Sequence, residues 1–274
     1  MRKSWIALLA MLLLMGCAQA RTPSVQPAAP SSEPLTVMAA ASLKDAFEAL
    51  GADFRAQHPA TSITFNFAGS QQLAQQLVEG APGDLFAAAN QRQMDVAVAG
   101  GRVAADGADA PSIFARNRLV VVLPADNPAA IESLQDLAKP GVKLVLAAES
   151  VPAGQYALEF LANASATADY TEAYSPTVLS NVVSYETNVR SVLTKVALGE
   201  ADAGIVYASD APASNTQVAT LPIPDALNVP VSYPIALVLD STQPQAARDF
   251  VKYVLSAEGQ ATLARFGFLG AAEP

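Results

Sequence analysis

From Leu35 onward, short β-rich runs alternate with stretches whose apolar residues recur every three or four positions. Leu35-Thr36-Val37-Met38 reads as a buried strand. Ser42 follows as a natural N-cap, with Asp45 at the N3 place of a capping box, and Leu43, Phe47, Leu50 and Phe54 mark one face of a first helix. Ile63 to Phe67 alternates as a strand, and Gly69-Ser70 opens a second helix with Leu73 and Leu77 on its apolar side. Asp84 to Ala87 predicts a third strand, ahead of a helix around Met94 to Val98. The run from Arg118 to Leu123 is apolar after its first residue, as expected of a strand covered on both faces in a parallel sheet. Lys143 to Leu146, Gly204 to Tyr207 and Ile235 to Val238 repeat that pattern, and two closing helices are expected over 243–255 and 257–266. The alternation predicts the α/β class with mostly parallel sheets flanked by helices. So many units in the 240 residues from Leu35 to the last residue favour two domains over one open sheet.

The first 34 residues follow a different pattern. Arg2 and Lys3 precede an apolar run from Trp5 to Met15 that is too short to span a bilayer comfortably, which is the layout of a secretory signal over residues 1–16. The run ends in Leu14-Met15-Gly16-Cys17, which resembles a bacterial lipobox and predicts lipidation of Cys17 as the new N-terminus. An ordinary signal cut after Ala18 or Ala20, with Cys17 discarded, is the other reading of the same residues. Residues 17–34 then form a lipidated cysteine and a Pro-rich tether, able to span ~50 Å at about 3.1 Å per residue. The expected localisation is extracytoplasmic, at the bacterial membrane that holds the anchor.

Charge and chemistry narrow the function. The net charge is −9, and loss of Arg2 and Lys3 with the signal takes it to 14 − 25 = −11. No basic field is available to neutralise nucleic-acid phosphates, so no nucleic-acid partner is expected. Cys17 is the only cysteine, which removes disulfides, thiol nucleophiles and cysteine metal sites from the rest of the chain. His58 is the only histidine and sits before Pro59 in a loop setting; with no G-x-S-x-G elbow, a Ser–His–Asp triad has no base. Gly80-Ala81-Pro82-Gly83 is a turn, not a phosphate-binding fingerprint. No cofactor and no enzyme activity are expected. A hydrolase using Ser42 or Ser70 as nucleophile, and a scaffold lipoprotein without a ligand, are the rival classes.

Four strand-to-helix junctions stand out instead. Ser42 follows the first strand and Ser70 the second, Pro152-Ala153-Gly154 precedes a helix expected from about Gln155, and Asn188 caps a helix carrying Val189, Val192, Leu193 and Val196 that Gly199 closes. Helix starts present free N–H groups and the positive end of the dipole, so converging starts bind an anion without any cation.

The blocks around these junctions resemble the periplasmic molybdate-binding proteins of ABC transporters. They are Met38 to Ala46, Phe67 to Ser70, Gly80 to Phe86, Asn117 to Val122, Val151 to Ala157, Asn188 to Arg190, Gly199 to Ala211, Tyr233 to Ala236 and Arg265 to Phe268, in order along the body. Departures fall at Ala89 to Asp95 and over 171–185, away from the junctions. The resemblance implies a two-domain periplasmic-binding-protein clamshell, with 35–118 plus 231–274 as one domain, 119–230 as the other and the ligand cleft between. It implies a monomer that captures molybdate or tungstate and hands it to a membrane permease. It also implies that Ser42, Ser70, Ala153, Val189 and Tyr207 hold the oxyanion, and leaves sulfate as the rival ion. On pattern alone, Tyr207 is a strand-end tyrosine with its hydroxyl in water. A neutral, donor-only site suits a fully deprotonated oxyanion, because a protonated one needs an acceptor.

Overall fold

The computed structural model describes residues 33–214 and 217–271. The signal segment 1–16, Cys17 and the tether up to residue 32 lie outside the described residues. Among the described residues are ten strands and eight α-helices, arranged on two five-stranded sheets.

The first sheet has the order β2-β1-β3-β10-β4, with β1 at Leu35–Ala40, β2 at Ile63–Ala68, β3 at Leu85–Ala87, β4 at Ser112–Asn117 and β10 at Val231–Leu237. Helices α1 (Lys44–Gln57), α2 (Ser70–Val78), α3 (Gln91–Ala99), α7 (Pro244–Leu255) and α8 (Ala257–Arg265) pack with it. The second sheet repeats the plan as β7-β6-β8-β5-β9, with β5 at Leu119–Pro124, β6 at Leu144–Ala147, β7 at Val182–Glu186, β8 at Ala203–Tyr207 and β9 at Val218–Pro222. It carries α4 (Pro152–Ser165), α5 (Tyr174–Ser180) and α6 (Val189–Ala197). Each sheet with its helices is called a lobe below. Only Arg118 separates β4 from β5, so the chain passes between the lobes almost without a linker.

In each sheet, three neighbouring strands pair parallel (β2-β1-β3 and β7-β6-β8), the fourth (β10 or β5) runs against them, and the edge strand beyond it (β4 or β9) returns to the direction of the first three. The α/β class holds, but the apolar runs at Leu119–Leu123 and Ile235–Val238 belong to the antiparallel members β5 and β10, not to parallel ones. A continuous apolar run reports that both faces are covered, and says nothing of strand direction. Weakly patterned elements, namely β4, α5, β7 and β9, do not show in the periodicity; β7 lies at the sheet edge, with Val183 and Tyr185 exposed.

The apolar face read for α1 is the one buried: Leu43, Phe47, Leu50 and Phe54 are almost fully covered. Phe47 meets Phe114 with ring centroids 5.5 Å apart, and Phe54 meets Phe250 edge-on at 5.3 Å. Burying side chains of this size stabilises by about 1.5–3 kcal/mol each, which fixes α1 against its sheet. His58 stacks on Phe54 at the helix end and stays exposed. No described helix is long and apolar enough to cross a membrane.

Candidate functional site

Each junction singled out in the sequence lies at the carboxyl end of a parallel strand. β1 leads into a 3-10 turn at Ala41–Leu43, β2 into α2, β6 into α4, β7 into α6, and β8 ends on Tyr207. The edges of α/β sheets gather ligands at such ends, because helix starts converge there. Here they converge on one cavity of about 10 Å³, lined by Ser42, Ser70, Ala153, Val189 and Tyr207 together with small apolar neighbours and Asn188. Pockets for organic ligands run to hundreds of Å³, so this one is sized for a small ion. No charged side chain lines it.

The local chemistry makes it a ring of donors. Ser70 is the first residue of α2, Ala153 the second of α4 after Pro152, and Val189 the first of α6, so their N–H groups have no intrahelical partner. Asn188 accepts the Ser191 N–H at 3.0 Å and thereby closes the start of α6 without consuming the Val189 N–H. The Ser70 hydroxyl accepts the buried Ala89 N–H at 3.0 Å, so its own proton stays free to donate. Tyr207 is 1% exposed, and its hydroxyl is buried with no hydrogen-bond partner in the protein. Burial, reinforced by Tyr233, Tyr156 and Asp210, pushes its phenol well above the ordinary range, so it stays a protonated donor. The water-facing hydroxyl expected from the strand pattern is thus corrected: Tyr207 points into protein.

Two local readings also change. Ser42 caps no helix: it lies inside the 3-10 turn, α1 begins at Lys44 without a side-chain cap, and the Ser42 Oγ sits 3.1 Å from the Tyr233 Oη. Asp45 is not half of a capping box but pairs with Arg190, 2.7 Å away. The cause is tertiary, since a polar partner from another element outbids the local cap. Helix α4 starts at Pro152, not near Gln155, because proline at N1 loses no hydrogen bond there.

The lobes meet around this cavity through polar contacts. Gln71 donates to the Thr187 carbonyl at 2.9 Å, Asn90 to Gln155 Oε1 at 2.8 Å and Gln93 to the Ser150 carbonyl at 3.3 Å. Arg190 binds Asp210 of its own lobe at 2.7 Å, and reaches both Asp45 and the Ser42 carbonyl of the other. These closing residues, with Tyr233 and Asn117 behind Ser42, are absent from the sequence-based site. Their partners in the other lobe lie 57 to 148 positions away, and Tyr233 lies 191 from Ser42. Arg190, Asn117 and Tyr233 were signalled only by membership of the recognisable blocks Asn188 to Arg190, Asn117 to Val122 and Tyr233 to Ala236, and Gln71, Asn90 and Gln93 carried no signal.

Two lobes built on repeated sheet plans, meeting over a small cavity of neutral donors at the strand ends, define a solute-binding architecture. Residues 35–269 match the family of bacterial extracellular solute-binding proteins, and the chain belongs to that family. It is 39% identical over 257 residues to the molybdate-binding protein ModA of Mycobacterium tuberculosis H37Rv, covering 93% of this chain and 92% of that one. It is 31% identical over 264 residues to the putative ABC transporter substrate-binding lipoprotein YvgL of Bacillus subtilis, covering 96% and 95%. Among solved structures, the substrate-binding domain of a putative molybdenum ABC transporter from Clostridium difficile superposes with a TM-score of 0.64 at 30% identity, over 88% of this chain and 99% of that one. The sulfate-binding protein SubI of Mycobacterium tuberculosis superposes at 0.76, with 22% identity and 86% of each chain, a likeness of fold. These relatives are solute-binding proteins, not enzymes.

Proposed function

We propose that this chain captures molybdate, and tungstate with it, and delivers the oxyanion to the permease of an ABC importer. The observation that carries the reading is the Tyr207 hydroxyl, buried and unpartnered in a cavity where the starts of α2, α4 and α6 also direct their free N–H groups. A dianion taken from water into a lined cavity needs many donors to offset its desolvation, and here the neutral donors stand ready. Ser42 and Ser70 give hydroxyl and backbone N–H, Ala153 and Val189 backbone N–H, and Tyr207 its phenol. The molybdate-binding relative at 39% identity supports the choice of ion.

In this reading the two bodies of the clamp are 35–118 plus 231–274, and 119–230, closing as a monomer. The chain is held outside the cytoplasm by lipid on Cys17, a role supported by the lipobox-like residues Leu14 to Cys17 and by the lipoprotein among its relatives. Thermal unfolding of ligand-free protein with molybdate, tungstate, sulfate and phosphate tests the ligand. A ligand at a hundredfold over its Kd adds about 2.7 kcal/mol of stability. Molybdate and tungstate should raise the melting temperature well above the other two; no rise with either sinks the reading. For the anchor, Cys17→Ser should release the protein from membranes, and continued membrane association refutes lipidation.

A further inference from the structure

The backbone at position 69 does not call for glycine. Its φ of −60° and ψ of 135° lie in the extended region open to any residue. Space calls for it instead. A Cβ there would lie 2.5 and 2.6 Å from the side-chain amide of Gln71, whose far end can swing aside, and 2.6 Å from the Thr187 carbonyl oxygen, which is backbone. Thr187 belongs to the other lobe, between β7 and α6. The backbones of the two lobes thus lie against each other at Gly69, with no room for a methyl group between them.

Both sides of this contact lead straight into the cavity. Gly69, Ser70, Asn188 and Val189 all line it, and Thr187 directly precedes the last two. The contact therefore fixes how far the start of α6 stands from the start of α2. Two helix starts facing each other bring positive dipole ends together. Gln71 offsets this by donating from its Nε2 to the Thr187 carbonyl at 2.9 Å, but its Oε1 is left buried with no partner among the described residues. An orphaned acceptor opposes closure, so an anion between the two starts is needed to hold them together.

We propose that Gly69 is a positioning residue: its missing side chain is the gap into which Thr187 of the other lobe fits, and that fit sets the spacing of the Ser70 and Val189 N–H groups across the bound ion. Gly69 offers the ion no side chain. Its part is to let the lobes approach far enough for donors from both to reach one ion, and a methyl group at this position acts as a wedge.

The inference rests on the oxyanion reading of the cavity, and the test keeps the two apart. Molybdate binding is followed by calorimetry and by stopped-flow tyrosine fluorescence on the full chain, Gly69→Ala, Gln71→Ala and the double variant, with thermal unfolding of each in ligand-free form. Ligand-free Gly69→Ala should melt at the parent temperature or above it, since alanine fits this backbone and narrows the unfolded ensemble. Its molybdate affinity should fall about tenfold or more, through faster release with association little changed. Gln71→Ala gives up one hydrogen bond between the lobes and should lose about two- to fivefold. In the double variant the Gly69→Ala loss should remain in full, because the wedge meets Thr187 and not Gln71. Crystal structures of the molybdate-loaded parent and Gly69→Ala should show residue 69 and the Thr187 oxygen further apart in the variant.

Parent affinity in Gly69→Ala, or a double variant that binds as well as Gln71→Ala alone, overturns the inference while leaving the oxyanion reading intact. A ligand-free Gly69→Ala that melts well below the parent, or a loaded variant that keeps the parent spacing between residue 69 and Thr187, overturns it equally. The loss then comes from the fold of one lobe or from a methyl group in the cavity itself. A parent chain that binds none of molybdate, tungstate and sulfate overturns the reading and the inference together.

Discussion

Arg190 Nη2 and Asp45 Oδ2 lie 2.7 Å apart across the cleft, joining the second residue of α6 to the second of α1. The same guanidinium holds the fully buried Asp210 through its Nε at 2.7 Å. One cation therefore serves two carboxylates of unequal burial, and the two arms should fail differently.

Asp45 is more than a third exposed, so its arm of the bridge stabilises by about 0–1 kcal/mol. Asp45→Asn should leave the unfolding midpoint nearly unchanged and weaken oxyanion affinity by no more than about fivefold, through loss of one closing contact. Arg190→Ala removes the partner of a buried carboxylate, which costs about 3–5 kcal/mol. Urea unfolding with titration of both variants checks the contrast. Equal destabilisation by the two would show that Asp210 does not depend on Arg190.

Tyr207→Phe should act with opposite signs on folding and on binding. The hydroxyl is buried and makes no hydrogen bond within the protein, so removing it spares a desolvation penalty of about 1–3 kcal/mol. Ligand-free protein should melt at the parent temperature or above it. Molybdate affinity should fall about tenfold, as one donor to the dianion is lost. A variant that melts lower and binds as well as the parent places the role of the phenol in the fold, not in the site.

How much of this was legible in the sequence depends on the range of the interaction involved. The face of α1, the cap at Asn188 and the closing Gly199, whose φ is +70°, are local, and the periodicity reads them correctly. Ser70 and Val189 were placed at helix starts for the same reason. Ser42 was also noticed locally, but as an N-cap, which it is not, because its side chain meets Tyr233, 191 positions away. Strand direction in β5 and β10 was illegible, since burial writes the same apolar run into either orientation. The closing contacts of Gln71, Asn90 and Gln93 were invisible, being ordinary surface amides until the fold sets another lobe beside them.

Asp210 gives a pH dependence with a definite sign. Burial pushes its carboxyl up from 3.8 to about 6, against the pull of Arg190 and the Tyr207 N–H; Asp45 adds to the rise, and the Tyr207 and Tyr233 phenols are the other titratable groups facing it. The folded chain thus binds this proton more tightly than the unfolded chain. The contribution of Asp210 to stability is fully present below about pH 4 and is lost as pH rises to about 6. The slope in that window is at most about 1.4 kcal/mol per pH unit. Asp210→Asn should remove this slope, so that parent-minus-variant stability falls between about pH 4 and pH 6 and is flat above. A flat difference across the whole range would mean that the pair with Arg190 holds the carboxyl near its ordinary value.

Gly154 links packing to the site more tightly than any hydroxyl does. It is the third residue of α4, directly after Ala153, and a Cβ there would lie 2.1 Å from the Ala148 carbonyl oxygen and 2.4 Å from that of Ala147. Both obstacles are backbone at the end of β6, so no rotamer change relieves them, and the start of α4 must lift off the strand. Overpacking of this kind costs about 1–3 kcal/mol, and more where backbone meets backbone. The same displacement carries the Ala153 N–H away from the cavity it lines. Gly154→Ala should therefore lower the melting temperature and weaken molybdate binding by at least tenfold. The exposed turn glycine Gly141, at φ +88° with nothing near its absent Cβ, is the control: Gly141→Ala strains the turn and should cost stability alone. Loss of binding in Gly141→Ala as large as in Gly154→Ala would tie affinity to global stability, not to the seat of α4 on β6.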